Sequence, residues 1–165
     1  YPVTPKVKIG EDAAFTYPCL LAAESLAYVD GCLYHYRNNA QSMTAAFDPH
    51  LTETIFIPLD ILRTYFDTDK RALFAQYQMY AAYLLQLWVR NQASLDCDLD
   101  RKGLRQSCAR VCQNQELRAL LASVPGALPR QVAVAVRAVQ QQKPGQLYLL
   151  IKAWNLYYKL RNGRA

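Results

Sequence analysis

The sequence predicts a mostly α fold, in which a small αβ segment at residues 1–47 is followed by a bundle-like helical extension at residues 48–165. Two short apolar runs separated by Asp30-Gly31 are typical of a β-hairpin. From Asp48 onward, apolar residues recur at helical spacing instead. Hydrophobic residues make up 52% of the chain and charged residues 19%, which is the composition of a globular protein with a real core.

The first segment is predicted to contain short elements around a single helix. Pro2 and Pro5 keep the residues before them out of the helical region, so the chain should start extended. Pro18 removes a backbone donor from the helix and is expected to kink it. The predicted elements are an extended stretch at 1–9, a helix at 12–24, strands at 26–29 and 32–36, and a polar loop at 38–46.

The second segment is predicted to be helical throughout. The run that starts at Asp48-Pro49 is interrupted by Pro58, which should bend it. Residues 130–142 are ambiguous, because the valines alternate as in a strand while the alanines between them favour a helix; we predict a helix. The predicted helices lie near 48–66, 70–92, 101–112, 115–123, 130–142 and 146–161.

Charge is divided unevenly along the chain. Residues 1–100 hold seven Lys and Arg against twelve Asp and Glu, a net of −5, whereas residues 101–165 hold twelve against Glu116 alone, a net of +11. The basic third is therefore expected to meet an acidic partner: anionic lipid headgroups, nucleic acid or an acidic face of the same polypeptide. Nucleic acid is the least favoured, because no recognised binding motif is present and the aromatic residues have core spacing.

The five cysteines are odd in number and not closely paired. This pattern favours free thiols in a reducing cytoplasm over a disulfide scaffold. Cys108 and Cys112 are one helical turn apart without a further metal ligand nearby in sequence, so we predict buried thiols.

A Gly-Glu-Asp motif at Gly10, Glu11 and Asp12 marks the predicted start of the first helix. Carboxylates in a first turn face the positive end of the helix dipole, so one interpretation is simple charge matching. The motif is followed by Tyr28-Val29-Asp30, then by Leu33-Tyr34-His35-Tyr36-Arg37, and then by Ser42-Met43-Thr44. Over residues 5–47, this series resembles the end of the catalytic domain of family 2 glycosyltransferases of the GT-A fold.

The resemblance implies roles for individual residues. Asp12 would be the catalytic base of an inverting transfer, with Glu11 orienting or assisting it. Arg37, Ser42 and Thr44 would bind diphosphate oxygens of the nucleotide-sugar. His35 and Tyr36 would line the same site. The residues from 34 to 44 also have a purely structural alternative, in which Tyr34 and Tyr36 pack on a sheet and Arg37 pairs with a surface acid.

In that family, the nucleotide-binding half precedes the Glu-Asp pair and carries an Asp-x-Asp group for Mg²⁺ or Mn²⁺. The chain begins without methionine, and few residues precede Glu11, so we expect it to be a piece that is inactive alone and binds no metal. The aspartates at 67 and 69 and at 96, 98 and 100 come too late in the order and are predicted to cap helices. The whole enzyme would use a nucleotide-sugar donor and a glycan or lipid-linked acceptor in bacterial surface polysaccharide synthesis.

The last predicted helix has an apolar stripe that includes Trp154 and is flanked by lysines and arginines. Such a helix can lie on an anionic membrane surface, which would make the protein cytoplasmic and peripheral on the inner face of the membrane. Lys152, Trp154, Lys159 and Arg161 are the candidate membrane or partner surface. For the apolar stripe itself, packing on helix 70–92 is favoured over contact with a membrane. A non-enzymatic helical interaction module is the alternative function.

Overall fold

Helices dominate the computed structural model, which describes residues 7, 9–35, 46–66 and 71–162. Within those residues it contains no β-strand, and no described helix is both long and apolar enough to cross a membrane. The mostly α prediction is therefore confirmed. The helices are α1 (Glu11–Ala22), α2 (Leu51–Thr54), α3 (Ile57–Arg63), α4 (Arg71–Gln92), α5 (Arg101–Gln113), α6 (Gln115–Leu121), α7 (Arg130–Gln140) and α8 (Pro144–Asn162).

The core is organised around α4. Its Trp88 is fully buried, and the indole Nε1 donates to the Thr52 hydroxyl on α2 at 3.1 Å. Helices α2, α3, α6, α7 and α8 all contact α4, whereas α8 packs mainly on α5 and α7. The apolar face of α4 is thus the centre of the hydrophobic core.

Local signals explain where the helices start and bend. Asp100 caps α5 by accepting from the Gly103 backbone N–H at 2.6 Å, and Asn114 caps α6 through the Leu117 N–H at 2.9 Å. Pro58 lies in the first turn of α3, where a missing backbone donor costs nothing. The predicted bend at Pro58 therefore appears as two separate helices, α2 and α3. The aspartates at 67 and 69 lie outside the described residues.

The two predicted strands, at Leu26–Val29 and Cys32–Tyr36, are absent from residues 23–35. This segment has no regular secondary structure, and Leu26 and Tyr28 are 76% and 90% exposed. In place of the predicted Asp30-Gly31 turn there is a three-residue turn around Cys32, in which the Leu33 N–H donates to the Gly31 carbonyl at 3.0 Å. A two-stranded hairpin is marginal without a third strand or a helix to cover it, and no such partner lies against this segment among the described residues. The αβ character of residues 1–47 is therefore not seen here.

A carboxylate pair links α3 to α6. The Arg63 guanidinium donates to Glu116 at 2.7 Å, and Asp60 shares a hydrogen bond with the same Glu116 carboxylate. Burial raises the pKa of Asp60 above its ordinary value, and the hydrogen bond and charge of Glu116 raise it further against the opposing Arg63.

We expect Asp60→Asn to raise the melting temperature at pH 7. When the folded-state pKa of a carboxyl is raised, its ionised form lowers the stability of the fold at pH values above that pKa. This loss of stability disappears as the pH falls below the pKa that the carboxyl has in the unfolded chain. The gain from Asp60→Asn should therefore shrink towards zero on acidification, in melts monitored by circular dichroism across pH. Asp96→Asn, at an exposed loop carboxylate, is the matched control. A pH-independent gain would contradict the assignment.

Candidate functional site

The start of α1 lies against α3 and α4 through a single glycine. Gly10 has φ +86°, a left-handed conformation, and its carbonyl accepts from the Ala14 N–H at 2.9 Å. A Cβ at this position would overlap the Tyr80 hydroxyl of α4 and lie 3.1 Å from Pro58 Cγ of α3. Glycine is required here for both reasons, because it accepts the positive φ and allows the close approach.

This turn presents the two predicted catalytic carboxylates to solvent. Glu11 and Asp12 are both exposed in the first turn of α1. The Asp12 Oδ1 accepts from the backbone N–H of Ala13 at 2.7 Å. The helix itself is anchored in the protein, because Ala14 is fully buried and Pro18 is buried as well. The carboxylates are therefore accessible but held on a fixed element.

A cavity of about 900 Å³ opens beside these carboxylates, between α1, α3 and α4. Glu11 and Asp12 are part of its lining, and aromatic rings form much of the remainder. Tyr17 meets Tyr80 edge to face at 5.9 Å between ring centroids, and Tyr80 lies 6.3 Å from Tyr83 in a nearly parallel arrangement. The site thus has a carboxylate mouth and an aromatic wall.

Two tyrosine hydroxyls in this wall differ in their hydrogen bonding. The Tyr77 hydroxyl donates to the Leu59 carbonyl at 2.6 Å, and its ring stacks on Phe66 at 5.0 Å. The Tyr80 hydroxyl is buried and has no hydrogen-bond partner among the described residues. A buried hydroxyl without a partner is costly, so it is a natural contact for a ligand or a bound water.

The Tyr80 phenol stays protonated in this setting. Burial raises the pKa of Tyr80 most, and the negative charge of Asp12 raises it further, with smaller contributions from Tyr17, Tyr83 and Glu11. The hydroxyl can therefore donate a hydrogen bond to an uncharged acceptor, while the carboxylates above it accept hydrogen bonds. Together these groups can hold a molecule that carries several hydroxyl groups.

The structure brings only part of the predicted site together. Glu11 and Asp12 lie at the cavity, together with Tyr34, which is 81% exposed and was not a predicted site residue. His35 is exposed and is not part of the cavity lining. The other predicted donor-binding residues lie outside the described residues: Tyr36, Arg37, Ser42 and Thr44.

The C-terminal candidate surface is divided by the structure. Lys152, Lys159 and Arg161 are exposed, but Trp154 is half-buried on the inner side of α8, where it meets Tyr158 edge to face at 6.1 Å. Packing of the Trp154 stripe is thus observed, as the sequence favoured, although its main neighbours are α5 and α7, not α4. Trp154 belongs to the core face and not to an outer surface.

The tyrosines of the cavity wall were not predicted as site residues. Tyr77, Tyr80 and Tyr83 follow one another at intervals of three on α4. Hydroxyl-bearing rings on the buried face of a helix are a usable signal, because a buried Tyr hydroxyl normally finds a partner. Tyr17 carries no comparable signal, since only the folded chain brings it to Tyr80.

The described residues show no group of three or more His, Cys, Asp or Glu side chains arranged to hold a metal ion. Cys108 and Cys112 are buried free thiols, as predicted. Burial raises the pKa of Cys108 to about 12, and it raises that of Cys112 to about 11 against the opposing charge of Arg118. Both thiols are therefore protonated and unreactive at neutral pH.

Comparisons of the chain with protein-family models, with curated proteins and with solved structures found no match.

Proposed function

We propose that this chain is the acceptor-side, C-terminal portion of an inverting glycosyltransferase, and that Asp12 is its catalytic base. One observation supports this most: the Glu11-Asp12 pair lies at the mouth of an aromatic-walled cavity of about 900 Å³. Saccharides present hydroxyl groups at their edges and C–H groups on their faces. Carboxylates accept hydrogen bonds from the hydroxyls, and aromatic rings pack against the C–H faces.

The proposed reaction requires one proton acceptor. Asp12 takes the proton of an acceptor hydroxyl as that oxygen attacks the anomeric carbon of the donor sugar. The new bond joins the acceptor oxygen to the anomeric carbon, and the bond to the diphosphate breaks on the opposite face. The nucleoside diphosphate leaves with the bonding electrons, and the anomeric configuration inverts. Glu11 and the Tyr80 hydroxyl orient the acceptor by hydrogen bonds.

The donor half is assigned to residues outside this chain. Mg²⁺ or Mn²⁺ held there would neutralise the diphosphate charge. The same proposal explains the strand-like sequence of residues 26–35. This segment is suited to joining a sheet of the donor half as a strand, because its apolar side chains are exposed and free to be covered: Leu26, Tyr28 and Leu33. The proposed contacts of the nucleotide-sugar remain Arg37, Ser42 and Thr44. His35 and Tyr36 are proposed to line the same site. Synthesis of bacterial surface polysaccharide on the cytoplasmic side is the proposed setting.

The test uses the natural full-length polypeptide. Release of nucleoside diphosphate is measured with a panel of nucleotide-sugars, Mg²⁺ or Mn²⁺, and an acceptor extract from the cell envelope. We expect release that depends on the acceptor with at least one donor, and none from residues 1–165 alone. An active control transferase is run beside the panel. If no donor in the panel gives release of nucleoside diphosphate, the proposal is contradicted and the helical interaction module is favoured.

A further inference from the structure

Helix α8 is apolar on two opposite faces. Its inner face packs into the core through Leu147 and Ile151, which are fully buried. Its outer face carries a second set of leucines: Leu149, Leu156 and Leu160 are 66%, 57% and 58% exposed. With Ala153 between them, they recur at intervals of four, three and four residues, which aligns them in one stripe along the helix.

Basic side chains border this outer stripe on one side. Lys152 and Lys159 are seven residues apart and lie along that side, whereas Arg161 follows Trp154 by seven residues and so lies towards the inner face. All three are exposed. The lysine side extends onto α5, because the Arg105 guanidinium lies 5.2 Å from the Tyr148 ring centroid one turn before Lys152.

The flanking lysines have no acidic counterpart on α8, because residues 144–162 contain no Asp or Glu. The acid near them is Asp98, in the loop before α5, since its charge and that of Lys152 both act on the Cys97 thiol. The sole acid among residues 101–165 is Glu116, and it already pairs with Arg63 on α3 at 2.7 Å. A second copy of α8 laid against this stripe would bring basic groups near each other with no acid on either helix. The charge therefore selects an anionic occupant over self-association.

We propose that the outer face of α8 docks on an anionic lipid surface, with its leucines in the headgroup layer and Lys152 and Lys159 on the lipid phosphates. An apolar stripe bordered by basic groups is typical of helices that lie in the membrane interface. Tyr157, 57% exposed beside the leucines, suits the boundary between the apolar and polar layers. The inner face stays packed, so docking requires no unfolding of α8.

This inference does not depend on the proposed transferase activity. It also replaces Trp154 as the expected anchor, because that ring is half-buried on the inner face. The residues that carry the inference are instead the outer leucines, which the sequence did not single out as a surface. An acidic protein surface is the competing occupant, and the experiment separates the two.

The experiment is cosedimentation of the chain with phosphatidylcholine vesicles, with and without about a third of phosphatidylserine. We expect binding only to the anionic vesicles, weakening as salt is added. Leu156→Ser with Leu160→Ser should lower the partition coefficient by at least about tenfold. Lys152→Ala and Lys159→Ala should each lower it by about fivefold.

Helix α7 supplies the matched controls. Val134→Ser removes an exposed apolar side chain there, and Arg130→Ala with Arg137→Ala removes two exposed charges. These variants should bind almost as well as the wild type, and all variants should keep their far-ultraviolet circular dichroism. Equal loss from the α7 changes, equal binding to neutral vesicles, or no binding to anionic vesicles would each overturn the proposal. The last result would favour an acidic protein partner.

Discussion

Asp12→Asn is expected to lower acceptor-dependent turnover of the full-length polypeptide by at least about 100-fold. The amide has nearly the same shape as the carboxylate, and its oxygen can still accept from the Ala13 N–H. What it loses is the ability to take a proton from the acceptor hydroxyl. The turnover number should therefore fall much more than the Michaelis constant for the acceptor rises, since ground-state contacts are largely kept.

Two further carboxylates make this test specific. Glu24→Gln changes an exposed acid just beyond the end of α1 and should leave turnover unchanged. Glu11→Gln, at the neighbouring orienting residue, should have an intermediate effect. Thermal melts should show no change for Glu24→Gln and a loss of at most about 1 kcal/mol for each first-turn variant, because Glu11 and Asp12 face the positive end of the helix dipole. Equal turnover of wild type and Asp12→Asn would remove Asp12 from the mechanism, whatever the melts show.

The helical part of the fold was largely readable from the sequence. Amphipathic periodicity is a local property, and so are the caps that end it: Asp100 and Asn114 each satisfy a backbone donor three residues ahead. Even the predicted helix at 130–142, with its strand-like valines, is largely confirmed as α7 (Arg130–Gln140), because the buried side chains lie on one helical face. Tertiary context was not needed to predict these elements.

The strands show the limit of the same reasoning. Alternating apolar residues around Asp30-Gly31 indicate that a hairpin can form, but the energy of a sheet comes from pairing with strands distant in sequence. Among the described residues no such partner meets this segment, and Tyr28 is 90% exposed. The chain bends at Gly31, but the hairpin turn predicted at Asp30-Gly31 is not formed, because the strand pairing that it needs is not encoded in the local pattern.

The candidate site divides in the same way. Asp12 was found from the Gly-Glu-Asp motif and the resemblance that follows it, and its position in the first turn of α1 agrees with the sequence. The Tyr80 hydroxyl was missed because its proximity to Gly10 joins residues seventy positions apart. The aromatic wall beside Asp12 is a product of tertiary packing, so only the folded chain shows it.

That long-range contact can be tested by Gly10→Ala, which should destabilise the docking of α1 by roughly 2–5 kcal/mol. About 1–2 kcal/mol comes from placing a Cβ in the left-handed conformation. The rest, about 1–3 kcal/mol, comes from the overlap with the Tyr80 hydroxyl and the tight contact with Pro58. Because α1 can undock locally, hydrogen exchange of the amides at 14–17 and 19–22 is the measurement. Their protection should fall at least about 30-fold while that of α4 is kept.

Gly126→Ala separates the two contributions. Gly126 has φ +78°, but a Cβ there would meet nothing within 4 Å, so this variant should cost only the conformational part. In a Tyr80→Phe background, which removes the overlapping oxygen, Gly10→Ala should cost less than in the wild type. If Gly10→Ala costs no more than Gly126→Ala, or if Tyr80→Phe recovers nothing, then Tyr80 does not contact Gly10. The carboxylates and the aromatic wall would then not form one site.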